Sequence, residues 1–197
     1  MTTTLPAVVA AAGLSSRMGA SKSLLNAGGR TFMSRVIQVL REGGADPVLV
    51  VVRDLEGEEA AEARASGARV ILNPDPSPGP ISSLQAGIHE LPREAPGTLF
   101  TPVDHPLFRS FTVRLLISSF LDTRPPLAAP SHARRAGHPV VFSRTLFPEL
   151  LEEDLPRGAR TVVHRYLEKR LLVPVDDPGI LADIDTPADY RLHFPLE

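Results

Sequence analysis

Along the chain, short uninterrupted apolar runs alternate with longer segments whose apolar positions recur at helical spacing. AVVAAA at 7–12 is the first run; it stops at Gly13 and predicts a buried strand closed by a glycine turn. TFMSRVIQVLREGG at 31–44 sets Phe32, Val36, Val39 and Leu40 on one helical stripe, with Thr31 as N-cap and two glycines at the end. PVLVVV at 47–52 and ARVILN at 68–73 are further strands, and DLEGEEAAEARASG between them is a largely polar helix. NPDPSPGP at 73–80 is too rich in proline and glycine for a regular element, whereas ISSLQAGIHEL behind it suits a helix. TLFTPVD at 98–104 is a strand ending on a carboxylate, and PLFRSFTVRLLISSF at 106–120 a helix with Pro106 in its first turn.

After Leu121 the rhythm changes. DTRPPLAAPSHARRAGHPVVFSRTLF holds two short strands, near 127–130 and 139–142, separated by a basic polar turn. Helices follow at about 144–153 and 159–168, then the strand RLLVPVD and a closing DDPGILADIDTPADY, where Asp185 would begin a last helical turn containing Pro187. Apolar strands joined by helical crossovers predict an α/β fold: a mostly parallel sheet covered on both faces, with a short antiparallel extension. No flexible linker sets the tail apart, so residues 1–197 read as one domain. Such sheets bind ligands beyond the carboxyl ends of their strands.

Composition narrows the function. The formal charge of −2 offers no global attraction to nucleic acid or anionic lipid, so an anion site has to be local. The absence of cysteine removes disulfides, thiolate nucleophiles and cysteine-bound metals. LPAVVAAAGL is apolar but has no cation before it, the wrong order for a secretion signal, and no run reaches the roughly 20 residues of a membrane helix. A cytoplasmic protein is the expectation.

Chemistry gathers at three places. In VVAAAGLSSRMGASKSLL a strand gives way to small residues, so backbone N–H groups can approach a ligand; Arg17 can fork onto phosphate oxygens and Lys22 adds a mobile charge. The stretch is neither GxGxxG nor GxxxxGK, and a tight turn with two solvated cations is the equally simple reading. Asp104 in PVDHP stands at a strand end, and Asp183, Asp185 and Asp189 cluster near the chain end. Carboxylates of this kind suit Mg²⁺ together with substrate phosphates, though each alone also reads as a surface residue or cap. His105 adjoins Asp104, but alternation in an extended segment would point the two side chains apart. His138 in AGHPVV reads equally as structural or substrate-facing. No HExxH or GxSxG occurs, and the basic pair Arg134–Arg135 lacks the aromatic residues of a single-strand platform.

Taken together, AAGLSSRMGASKSLL, NPDPSPGPISSLQAGI, PVDHP, AGHPVVFSRTLFPEL with its downstream GAR, and DIDTPADY resemble the MobA-like nucleotidyltransferases, in order and over nearly the whole chain. The resemblance is greatest to the molybdenum cofactor cytidylyltransferase branch. It implies a Rossmann-like three-layer α/β/α sandwich and Mg²⁺-dependent transfer of a nucleotidyl group, CMP from CTP or the corresponding group of another NTP, to a phosphorylated acceptor such as molybdopterin. Ala11, Ala12, Gly13, Arg17 and Lys22 would hold the nucleotide and its phosphates; Gly79, Ser82, Ser83 and Leu84 would face base and substrate; His138 would lie on the acceptor side. Asp104 would be the central metal ligand, with Asp185 as the second and Asp183 in reserve. Arg17, Lys22 and Asp104 would carry the catalysis.

The same resemblance implies no protein nucleophile, since an acceptor phosphate oxygen attacks the α-phosphorus and pyrophosphate leaves. It suggests a molybdoenzyme as recipient, and no nucleic acid or membrane partner. VDHP departs from the family's more frequent aspartate–glutamine–proline, and TPVD from a glycine-containing version. Guanylyl transfer, a sugar-phosphate or phospholactate-like acceptor, and a nucleotide-binding regulator without catalysis stay open.

Overall fold

The computed structural model describes residues 4–13 and 21–194, so Arg17 lies outside the described residues. Strand and helix alternate as β1 (Leu5–Ala10), α1 (Phe32–Glu42), β2 (Ala45–Val52), α2 (Glu58–Ala65), β3 (Arg69–Leu72), α3 (Pro80–His89), β4 (Gly97–Pro102) and α4 (Ser110–Thr123). The second half adds β5 (Leu127–His132), β6 (Arg135–Ala136), β7 (Val140–Ser143), α5 (Phe147–Leu150), α6 (Ala159–Arg165), β8 (Arg170–Pro174) and α7 (Pro187–His193).

These strands form one sheet in the order β3-β2-β1-β4-β7-β5-β6, with β8 pairing β5. β1, β2, β3 and β4 are mutually parallel, as are β5 and β8, and β7 is antiparallel to both β4 and β5. The antiparallel extension is the predicted one, with β6 as an additional two-residue hairpin strand on β5. Its turn at Ala133 and Arg134 takes φ of 48° and 64°, so the basic pair serves a tight reversal.

Alternation along the strands sorts the core into two layers. Val9, Val50 and Val52 meet Phe32, Val36 and Leu40 of α1, Ala60 and Ala63 of α2, and Leu116 and Phe120 of α4 on one face. Val8, Leu49 and Val51 meet Ile81, Leu84 and Ile88 of α3, with Leu150 and Val162 of α5 and α6, on the other. A period-2 strand buried on both sides reads as a continuous apolar run, which is why β1 and β2 were legible. The three-layer α/β/α architecture follows directly from this sorting.

The element starts were read less well. Pro106 does not open α4: Arg109 is extended, and the helix begins at Ser110. The buried carboxylate of Asp177 accepts hydrogen bonds from the Arg109 N–H at 2.8 Å and the Thr112 hydroxyl at 2.6 Å, so a residue 68 positions away caps this helix. The helix expected over 144–153 is a 3₁₀ turn at Arg144–Leu146 followed by the single turn α5, because Pro148 starts a helix rather than continuing one. The helix expected over 159–168 ends at Arg165, before another 3₁₀ turn. Asp185 does not begin the last helix; Thr186 caps it and Pro187 takes the first position.

Candidate active site

β2 and β3 lie on one side of β1, and β4 lies on the other. The crossover through α3 therefore reverses direction between β1 and β4, and their carboxyl ends flank a crevice. Backbone bonds hold those ends past the last sheet rung: the Ala11 N–H donates to the Val51 carbonyl at 2.9 Å and the Val103 N–H to the Ala10 carbonyl at 3.1 Å. A cavity of about 180 Å³ opens there, lined by Ala11, Gly13, Lys22, Gly79, Ser83 and Asp104 among others. Six of the residues expected to hold nucleotide, substrate or metal thus border one space.

After Pro102 the chain turns instead of extending, with the His105 N–H donating to the Pro102 carbonyl at 3.4 Å. This reversal corrects the expectation of opposed side chains. Asp104, His105 and Asp183 each present a ligand atom, all within 4.8 Å of one another. Alternation holds for strands, and residues 103–104 form a turn.

The terminal acidic segment is drawn in by its backbone. The Ile184 N–H donates to the Asp104 carbonyl at 3.0 Å, and the Ile180 carbonyl accepts from the His138 N–H at 2.9 Å. Gly137 permits this approach, since a Cβ there would lie 2.2 Å from the Ile180 oxygen. Lys22 Nζ lies 3.4 Å from Asp104 Oδ2 and contacts Asp185 Oδ1 closely. Lys22, Asp104, Asp183 and Asp185, 163 residues apart at the extremes, therefore form one charge cluster.

Burial sets the electrostatics. Desolvation raises the Asp104 carboxyl above its ordinary value despite the opposing charge of Lys22. Asp183 is pushed up to about 6 by partial desolvation and by the charges of Asp104 and Asp185. Desolvation acts to lower Lys22, but its hydrogen bond to Asp185 and the two carboxylate charges prevail, holding the ammonium protonated. Desolvation takes His105 down to about 4 and His138 to about 3, so both rings are neutral near pH 7. Among the described residues, three acidic groups and one cation make up this cluster, and the Asp104 Oδ1 oxygen is buried without a hydrogen-bond partner. A hard divalent cation fits this donor set.

The loop before α3 is built by Asn73, which the sequence reading overlooked. Its buried amide donates to the Ser82 hydroxyl at 2.9 Å and the Ser83 hydroxyl at 3.2 Å, and Ser82 in turn bonds the Gly79 carbonyl at 2.9 Å. Gly79 has φ of 86°, a conformation that disfavours any side chain, and it opens onto the cavity. Ser82 thus shapes the loop, whereas Ser83 lines the cavity. The side chain of Leu84 is fully buried in the core under α3, so its contribution is packing. Ala12 is also buried, leaving only its backbone for ligand contact. Asp189 closes a capping box with Thr186 and belongs to α7.

A second cavity, about 640 Å³, adjoins the first and shares Pro80 and Pro102 with it. Its walls include Phe100, Val140 and Phe142, and its charged lining is Arg157, Arg160 and Arg170. His138 borders it and packs on His105 with ring centroids 4.3 Å apart. The expected acceptor-side residue therefore stands at the larger cavity, next to the carboxylate cluster.

The chain is similar in sequence and fold to known proteins. A "Bifunctional IPC transferase and DIPP synthase" of Rubrobacter xylanophilus is 34% identical over 94% of this chain and 50% of its own length. A molybdenum cofactor guanylyltransferase of Rhodopseudomonas palustris is 34% identical over 78% of this chain and 71% of the relative, and the Escherichia coli molybdenum cofactor cytidylyltransferase is 25% identical over 93% and 92%. A nicotine blue oxidoreductase of Paenarthrobacter nicotinovorans is 30% identical over 94% of both chains. The chain spans about half the length of the first curated relatives it matches.

Among solved structures, Rv0371c of Mycobacterium tuberculosis superposes with a TM-score of 0.80 at 28% identity, covering 98% of this chain and 100% of that one. Its structure as a complex with manganese superposes at 0.76 with 26% identity, over 97% and 98%. No helix among the described residues is long and apolar enough to cross a membrane. The MobA-like NTP transferase domain matches residues 7–171, carrying both cavities' central residues, and the chain belongs to that family.

Proposed function

We propose that the chain transfers a nucleotidyl group from an NTP to a phosphorylated small molecule, releasing pyrophosphate. The observation that carries this reading is a cavity lined by Lys22 and Asp104, with Lys22 paired to both Asp104 and Asp185, that shares Pro80 and Pro102 with a larger cavity beside it. The smaller cavity, bounded by the Gly13 turn and the Gly79 loop, would take the nucleotide's phosphates. The larger, apolar and arginine-bearing, would take an acceptor with a flat organic body and an anionic group.

The donor set fits a divalent cation on Asp104 with Asp183 or Asp185, which when bound would neutralise phosphate charge and polarise the α-phosphoryl group. Lys22 holds two of those carboxylates in register and, as phosphates enter, offers its ammonium to the leaving oxygens. Arg17, from the segment between Gly13 and Ser21, would join it. An acceptor phosphate is already ionised near neutral pH, so the chain needs no strong base, and neutral His105 and His138 are consistent with that. Positioning and electrostatics then supply the rate.

The finer reading is CMP transfer from CTP to molybdopterin with Mg²⁺, in the cytoplasm and with hand-off to a molybdoenzyme. Its support is the cytidylyltransferase relative matched over nearly the full length of both chains. Guanylyl transfer is the second reading, favoured by the guanylyltransferase relatives of higher identity. A dinucleotide-dependent oxidoreduction has no GxGxxG to rest on.

Pyrophosphate release, measured for CTP, GTP, ATP and UTP with molybdopterin and with phosphorylated sugars, tests the proposal. Turnover should require both an NTP and an acceptor, be fastest with CTP and molybdopterin, and nearly vanish in Asp104→Asn with folding retained. Nucleotide binding without product under every pairing would leave a regulatory binding protein instead. Preference for GTP would select the second reading.

A further inference from the structure

His105 stands beside the carboxylates of Asp104 and Asp183. Its Nδ1 is enclosed and has no protein partner, and the neighbouring Asp104 Oδ1 is in the same condition. Ala182 and the His138 ring, its centroid 4.3 Å away, lie against the imidazole. A buried imidazole nitrogen with no protein partner, beside a carboxylate oxygen in the same condition, is available as a metal ligand.

Distances agree. Ligand atoms of Asp104, His105 and Asp183 lie within 4.8 Å of one another. A cation bound at about 2.1 Å to each of three donors in octahedral geometry would set at least two of the three separations at roughly 3.0 Å, so closure from separations of up to 4.8 Å needs a side-chain shift of up to about 2 Å. Asp183 is exposed and can supply that movement, whereas Asp185 is engaged by Lys22.

We propose that His105 is a nitrogen ligand of the divalent cation, completing with Asp104 and Asp183 a mixed oxygen–nitrogen site that favours a first-row transition ion over Mg²⁺. This rests on the metal-assisted reading above and assigns its third ligand and its selectivity. Mg²⁺ prefers oxygen donors and gives up water reluctantly, while imidazole adds affinity for first-row ions. His138 acts through His105, as a positioning residue whose tilted ring packs against the ligand ring.

The test uses the full-length protein, metal-free and without nucleotide, titrated with Mn²⁺ and followed by pulsed electron paramagnetic resonance. A ¹⁴N coupling from directly bound imidazole is expected, and it should change to the ¹⁵N pattern when only the histidines are labelled. His105→Gln should abolish the coupling and reduce the preference for Mn²⁺ over Mg²⁺ in competition by about tenfold or more, since even partners outside the ligand set change affinity on that scale. Mn²⁺ bound with no histidine coupling overturns the assignment, as does an unchanged Mn²⁺/Mg²⁺ ratio in a folded His105→Gln. If that variant does not fold, labelling of the wild type decides alone. Pyrophosphate release by the same preparation separates the two ideas: turnover without nitrogen coupling removes only His105, whereas coupling without turnover removes only the transferase reading.

Discussion

Lys22 is the side chain whose role depends most on what surrounds it. In sequence it is one cation after a small-residue loop, equally readable as a solvated charge. In the fold its ammonium reaches Asp104 at 3.4 Å and contacts Asp185, with the side chain only 14% exposed. It should therefore remain charged across the working pH range and be available at one fixed place. Lys22→Ala would remove an oriented donor to developing charge, for which about 3 kcal/mol is typical, so kcat should fall roughly 100-fold to 1,000-fold. The nucleotide KM should move much less; a variant in which KM alone rises would reassign Lys22 to ground-state binding. Asp104 was legible by its strand-end position in TLFTPVD. His105 was not, because the turn at 103–104 overrides the alternation that a strand-like segment suggests.

At the scale of elements, the start of α7 decides where the terminal aspartates lie. The Thr186 hydroxyl accepts from the Asp189 N–H at 3.2 Å, while Asp189 Oδ2 accepts from the Thr186 N–H at 2.8 Å and hydroxyl at 2.7 Å. Those bonds hold the Asp189 carboxyl below its ordinary value of 3.8. A depressed carboxyl contributes stability above the unfolded pKa, and that contribution disappears as pH falls through the lower folded value. Thr186→Ala should cost about 1 kcal/mol at pH 7, read from urea denaturation midpoints. The gap between wild type and variant should narrow as pH falls below 3.8, because the protonated Asp189 no longer accepts both bonds. A gap that widens on acidification would mean that another group dominates this helix start. The sequence announced the capping pattern in TPAD but not its partner contacts: Tyr190 of α7 reaches the Asn26 carbonyl at 2.7 Å, and Phe32 stacks on Tyr190 at 6.1 Å. Boundaries fixed by such distant residues, like Asp177 at α4, leave no local signal.

The whole molecule joins two cavities through one sheet edge, and the join is a consequence of topology. Parallel strands β1 and β4 deliver Gly13 and Asp104 to the smaller cavity, while antiparallel β7, entering beside β4, brings His138 and Val140 to the larger one. The alternation of apolar strands and helices disclosed the parallel half. The two-cavity arrangement proposed to separate nucleotide from acceptor was not disclosed, because it depends on the order in which β7 and β5 insert beyond β4. If the partition is correct, a substitution in the larger cavity must separate the two substrates kinetically. Arg160 is exposed, lines that cavity and is absent from the lining of the other. Arg160→Ala should raise the acceptor KM roughly threefold to fivefold, up to ~1 kcal/mol for an exposed ion pair, and leave the NTP KM within experimental error. Raised salt should weaken acceptor binding to the wild type and do so less in the variant, since the screened charge is gone. Steady-state pyrophosphate release with each substrate varied in turn measures both constants. An equal rise in both KM values would show that Arg160 supports a site shared by the two substrates, and the assignment of one cavity to each would fail.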